Sequence, residues 1–372
     1  MSKRSFRGSA CVVQNRPISS QVAGYALARL FSESLQLGDA IAATNRTWQA
    51  LRNATQENFA KVKWMDASTA AGAVGHVAGL AQVIAMPEHL KTAPDLDQFH
   101  DYLPEFSQPF LQSWLSAAQR RSDKYKRLLD TDGTVHREDF ELPLTGVNAF
   151  YFPVFHIMAM LPGIMMPPFL SLQAPETVNY GAIGKILGHE LTHSFDPSFS
   201  VDRTGGKINW YTKQSMENSL KGLSASRNSW GAATDYVHAS NALSETFADT
   251  AGTEKAYLAY QTLAAPSGLL GYSPEQLFFI AGCFIFCAPN PYSRADGAIY
   301  PPFALRCNLP ASNAKQFAQA FQCPAETWFN PHNRCDFMQP ENRTLTERAT
   351  ILLPFRVSSI FIIPDNATLM IF

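Results

Sequence analysis

Apolar residues recur at three- and four-residue spacing along 21–59 with no internal proline, which predicts helix. Trp64-Met65-Asp66 closes that run. The same period predicts helices over about 67–84, 95–129, 178–195, 243–264 and 274–287. Asp130-Thr-Asp-Gly-Thr134 reads as a turn, and Val147 to Tyr151 as a β-prone edge strand. The longest apolar run, 150–172, could span a bilayer by length. It carries His156 and four prolines (Pro153, Pro162, Pro167, Pro168), so it reads as buried strand and loop. The run 349–372 is apolar but broken by Pro354, Arg356 and Pro364-Asp365, and suits neither an anchor nor a domain end. The pattern is mainly helical, with no internal repeat and no low-complexity segment.

Composition narrows the class. The 372 residues suggest about two domains, with a boundary expected between about 115 and 143. With 46% hydrophobic and 16% charged residues the chain is not disordered. Thirty basic against 31 acidic residues give a net charge of -1, which offers no electrostatic footprint for nucleic acid. The opening MSKRSFRGSACVVQNRP has basic residues without an apolar run behind them, unlike a signal peptide, and no membrane segment is read anywhere. Six cysteines are too few for a disulfide scaffold, although five fall in the last quarter. Sequons begin at Asn45, Asn53, Asn342 and Asn366, and matter only in a secreted chain.

The strongest chemical signal is His189-Glu190-Leu191-Thr192-His193. Four residues of helix turn about 400°, which stacks His189 over His193 on one face. Two imidazoles so placed suit tetrahedral zinc, and the neighbouring Glu190 suits a general base for water. The flanking Ile183, Ile186, Leu187 and Leu191 predict a buried helix, where histidines need partners. A third ligand is required. Glu245 and Asp249, four apart in Ser244-Glu-Thr-Phe-Ala-Asp249, offer one acid to close the metal site and one to accept a histidine ring N–H. Asp196, three residues after His193, could serve the other histidine.

At these motifs the sequence resembles the M13 zinc metallopeptidases, the neprilysin and endothelin-converting-enzyme family. Matching segments are Val147-Asn-Ala-Phe-Tyr151, Pro162-Gly-Ile164 with Pro167-Pro-Phe169, Asn179-Tyr-Gly-Ala-Ile-Gly184, Gly188 to Asp196, Glu245 to Asp249 and Gln276-Leu-Phe-Phe279. Trp64-Met-Asp66 and the stretch from Ala320 to Pro331 also fit, so the match extends over most of 10–337. The resemblance implies a mainly α (α+β) fold: a thermolysin-like zincin domain with a small edge sheet, over 145–338. It further implies part of a second helical domain over 1–130, with 339–372 as an atypical tail. It implies one zinc per chain on His189, His193 and Glu245. Glu190 and Asp249 would be catalytic, Glu190 activating water and Asp249 orienting a histidine together with Asp196. Asn148 and Ala149 would pair with a peptide substrate as an added strand. A cell-surface (type II membrane) or secreted enzyme is implied; oligomeric state is left open.

Departures from the family pattern shape the expectations. Its Asp-x-His-Ser-Pro segment, followed by Arg, aligns with Asp296 to Arg306 so that Ala298 replaces the oxyanion histidine and Ala304 the substrate arginine. Losing one oxyanion donor typically costs about 10²–10³ in kcat, with Tyr300 or Arg306 as substitutes. Cys11, Cys287, Cys323 and Cys335 would lack their family partners, so unpaired thiols are expected unless Cys283 or Cys307 pairs with them. The expected function is therefore a zinc metalloendopeptidase. The alternatives are a weak or inactive zinc- and peptide-binding member, or a fragment of a longer ectoenzyme.

Overall fold

The computed structural model describes residues 16–62, 64–104, 109–129, 146–196, 212, 240–290, 300–332 and 334. The turn at 130–134, Ala298, Cys11, Cys335 and the tail 339–372 lie outside them. Several predicted helices are each two elements, for local reasons. The 21–59 run is α1 (Arg16–Ser34) and α2 (Gly38–Phe59), parted where Gln36 adopts a left-handed backbone with φ 54°. The next starts as predicted, because the Asp66 carboxylate accepts the Thr69 N–H at 2.8 Å and caps α3 (Ala67–Gly79). It ends early, since Gly79 weakens the helix and the β-branched Val83 and Ile84 extend the chain into β1 (Ala81–Ile84). Thr92 caps α4 (Ala93–Phe99), and Pro104 separates it from α5 (Phe110–Leu129).

The apolar run at 150–172 is strand and loop. It holds most of β2 (Ala149–Phe152), all of β3 (Ile157–Met160) and a 3₁₀ turn at Pro162–Ile164. The sheet order is β1-β3-β2. β1 runs parallel to β3, with Ala81 opposite Ile157, and β2 is antiparallel, with Ala149 opposite Met160. Among the described residues β2 is therefore an edge strand, as the β-prone run at Val147 to Tyr151 suggested. Alternation sends Val83, Ile157 and Ala159 into a small cluster with Tyr25 and Leu96, while Ile84, Met158 and Met160 face the main core.

The remaining helices are α6 (Glu176–Gly181), α7 (Ile183–His193), α8 (Ser240–Tyr260), α9 (Pro274–Phe284), α10 (Phe303–Asn313) and α11 (Lys315–Ala320). Ser273 starts α9 with a reciprocal capping box to Gln276. α7 is buried along its whole length and packs against α2, α6, α8 and β2. Burial of Leu187 and Leu191 contributes about 1.5–3 kcal/mol each. One core joins Leu51 and Phe59 of α2 to Leu187, Phe278 and Phe317, so residues on both sides of the expected domain boundary share it. Cys283 and Cys307 form a disulfide with each other, while Cys287 and Cys323 are free thiols. No helix among the described residues is long and apolar enough to cross a membrane.

Candidate metal centre

The contact between α7 and α8 builds the site. A Cβ on Gly188 would meet the Gly252 carbonyl oxygen at 2.2 Å, and one on Gly252 would meet the His189 nitrogen at 2.5 Å. The two helices therefore touch backbone to backbone, which only glycine permits. This approach sets Glu245 and Asp249 of α8 beside the histidines of α7. His189 Nε2 and His193 Nε2 lie 3.0 Å apart. Glu245 Oε2 lies 3.2 Å from the first and 3.7 Å from the second. Tetrahedral zinc with N and O ligands at about 2.0–2.2 Å separates its ligand atoms by about 3.3 Å. The triangle fits that geometry. All three residues are buried, and Glu245 Oε2 makes no hydrogen bond of good geometry, as suits an atom reserved for a cation.

Around this triangle sits an ordered outer layer. His189 Nδ1 donates to Asp249 Oδ1 at 2.8 Å, which directs Nε2 to the centre. Asp249 is itself gripped by Arg306, whose Nε and Nη2 donate at 2.7 and 2.8 Å. An arginine therefore does reach the site. It is Arg306, one of the two expected substitutes, and it lies on α10 two residues after Ala304. The Arg306 guanidinium also stacks over the Tyr300 ring, 4.7 Å from its centre. Ala298 is outside the described residues.

Electrostatics follow from burial against pairing. Burial works against a charged His189, but Asp249 and Glu245 outweigh it and hold the imidazolium up to about 9. Burial likewise opposes ionisation of Glu245, yet the His189 and His193 imidazoles close beside it bring its carboxyl down to about 2. For Asp249 the Arg306 charge prevails over burial and keeps the carboxyl well below the usual range. Glu190 differs: burial dominates and raises it, in spite of the two histidines. Burial against pairing thus shifts the two neighbouring carboxyls, Glu245 and Glu190, in opposite directions.

The other predicted residues are accounted for as follows. Asp196 is buried and accepts from Ser244 Oγ at 2.5 Å, joining the end of α7 to the start of α8. Asn148 is exposed just before β2, and its carbonyl accepts the Leu161 N–H at 3.1 Å. Ala149 is the next position and alternates out of the ladder, toward the open edge of the sheet. Its N–H donates to Asn148 Oδ1 at 3.0 Å. Two buried lysines escaped the sequence analysis. Lys255 donates to Thr192 Oγ1 at 2.9 Å, and Lys185 donates to two carbonyls near Arg306. No local pattern marks them, since they stand at apolar-periodic positions where a lysine reads as an interruption.

The family model for peptidase family M13 matches residues 148–337, just over half of the chain. This chain belongs to peptidase family M13. Among M13-type relatives, an endothelin-converting enzyme homolog of Locusta migratoria is 27% identical over 86% of this chain and 45% of its own. Neprilysin of Oryctolagus cuniculus is 26% identical over 83% and 44%. The chain thus spans a little under half the length of these curated relatives. Zinc metalloprotease 1 of Mycobacterium tuberculosis, in a partial open state, shares the fold with a TM-score of 0.67 at 22% identity, over 91% of this chain and 54% of that one. PEPO of Lactobacillus rhamnosis does so with a TM-score of 0.65 at 22% identity, over 82% and 48%.

Proposed function

We propose that the chain is a zinc metalloendopeptidase, with His189, His193 and Glu245 as the ligands of one zinc ion. The observation that carries the reading is the buried triangle of ligand atoms at 3.0–3.7 Å. Zinc held there supplies Lewis acidity toward a peptide carbonyl and a water molecule. Glu190, raised by burial, would take the proton from the attacking water and pass it to the leaving amine. Asp249 and Arg306 hold the His189 ring in its ligating tautomer, and Asp196 serves the end of the same helix. Asn148 and the open edge at Ala149 receive an extended peptide. Tyr300 stands beside Arg306, and burial together with the Glu245 and Glu190 carboxylates keeps its hydroxyl protonated, pushing its pKa up to about 12. It is our candidate hydrogen-bond donor to the developing oxyanion.

Cell-surface or secreted placement is part of this proposal, and the Cys283–Cys307 disulfide suits such an oxidising compartment. The decisive experiment is peptide hydrolysis by the zinc-loaded chain beside its Glu190→Gln variant. Hydrolysis by the wild type and at least about 10²-fold less by the variant are expected. Equal rates leave only a zinc- and peptide-binding protein. Dialysed protein should retain about one zinc, and His189→Ala should lose it. A wild type without stoichiometric zinc ends both readings.

A further inference from the structure

Contacts around Arg306 close into a ring that starts and ends on α7. Lys185 lies one turn before His189 and is buried. Its Nζ donates to the Gly282 carbonyl at 3.2 Å and to the Arg306 carbonyl at 3.0 Å. Those carbonyls belong to the residues immediately before Cys283 and Cys307, the two halves of the disulfide. From Arg306 the ring continues through its guanidinium to Asp249, and from Asp249 back to His189. Phe286 packs against both cations, 4.8 Å from Lys185 Nζ and 4.6 Å from Arg306 Cζ. A Cβ on Gly282 would meet the Gly181 carbonyl oxygen at 3.0 Å and Lys185 Cδ at 3.6 Å, so the segment sits hard against α6 and α7.

A buried ammonium is costly unless its hydrogen bonds are well placed. This one directs them to the backbone of two segments that a disulfide also joins. We propose that the Cys283–Cys307 disulfide and the Lys185 ammonium form a positioning brace for the metal centre, fixing the Arg306 backbone so that its guanidinium holds Asp249, and through it His189, in the ligating pose. The brace rests on the metal-site reading above. Bidentate grip of a carboxylate needs both donor atoms in place, and a displacement of about 1 Å at Arg306 releases one of them. Lys185, Cys283 and Cys307 are positioning residues: their described contacts are with the backbone, with Phe286 and with each other.

The test is zinc affinity of the full chain, by competition with a chromogenic chelator. The variants are Cys283→Ala with Cys307→Ala, Lys185→Met, Asp249→Asn and their combinations. Each brace variant is expected to bind zinc about tenfold more weakly, and Asp249→Asn about 10–100-fold more weakly. In the Asp249→Asn background the brace changes should add almost nothing, because the route to His189 is already cut. Unchanged affinity in both brace variants, or full additivity on Asp249→Asn, overturns the brace and leaves the metal site standing. A wild type that takes up no zinc overturns both. Should the disulfide variant fail to fold, Lys185→Met completes the same cycle. Free thiols at Cys283 and Cys307 in the native protein would also refute the proposal.

Discussion

At the scale of single residues, the chain distributes opposite protonation tasks among carboxyls a few ångströms apart. Glu245 and Asp249 face cations and stay ionised, whereas Glu190 lies where desolvation dominates. Tyr300 is the proposed donor to the oxyanion. Removing only its hydroxyl, with Tyr300→Phe, should lower kcat about 10²-fold and leave KM and zinc content nearly unchanged. Steady-state kinetics on a quenched fluorescent peptide, with zinc measured on the same sample, checks this. A fall in zinc content would instead make Tyr300 a support for Arg306. His189, Glu190 and His193 were legible from the sequence because one helical turn brings them together without help from the rest of the fold. Arg306 was named only as a substitute donor, and its grip on Asp249 was not foreseen for the opposite reason: 57 residues separate the two.

At the scale of elements, the site depends on how closely α7 and α8 approach. Gly188 and Gly252 allow the backbones to touch, and neither contact ends on a flexible side chain that can move aside. Gly188→Ala is therefore expected to destabilise the fold by about 3 kcal/mol or more, at the upper end of overpacking effects. Urea denaturation of the metal-free protein measures this, and a weaker zinc affinity should accompany it because Glu245 and Asp249 move with α8. The periodic pattern located α1 to α9 but predicted neither α10 nor α11. It missed internal breaks at Gln36, Leu80 and Ala182, where backbone conformation changes while apolar spacing continues.

At the scale of the whole molecule, a buried histidine pair ties the sheet to the end of α7. His76 of α3 donates from Nε2 to the Ser194 carbonyl at 2.7 Å. His156, between β2 and β3, donates to the His76 carbonyl at 2.9 Å, and Tyr151 Oη lies 3.0 Å from its Nδ1. Burial, then the neighbouring His156, depress His76 from 6.5 to about 4. Burial and the nearby Lys124 depress His100 to about 4 as well. A histidine held neutral by the fold contributes stability that is complete above the unfolded value and is lost as pH falls toward the folded one. Unfolding free energy should thus decline between about pH 6.5 and about pH 4, by up to about 3 kcal/mol per histidine. Urea titrations across that range test this, and a His76→Gln variant should show a shallower decline above about pH 4.5, before the carboxyls join in.

The sequence by itself determined the chemistry on offer: a helix carrying two stacked imidazoles and a glutamate, a second helix with two acids one turn apart, and an apolar run too rich in proline to cross a bilayer. These are local consequences of a 3.6-residue turn and of proline's missing N–H. Tertiary structure decided what those parts became. It joined α2 and α3 to α7 in one core, closed the Cys283–Cys307 bond, brought Arg306 and Tyr300 to the centre from a distant segment, and set Lys185 of α7 against the Arg306 backbone. Spacing along a chain reports only neighbours on the same element. Which buried charge meets which partner is settled by helix-to-helix approach, here a glycine contact between backbones.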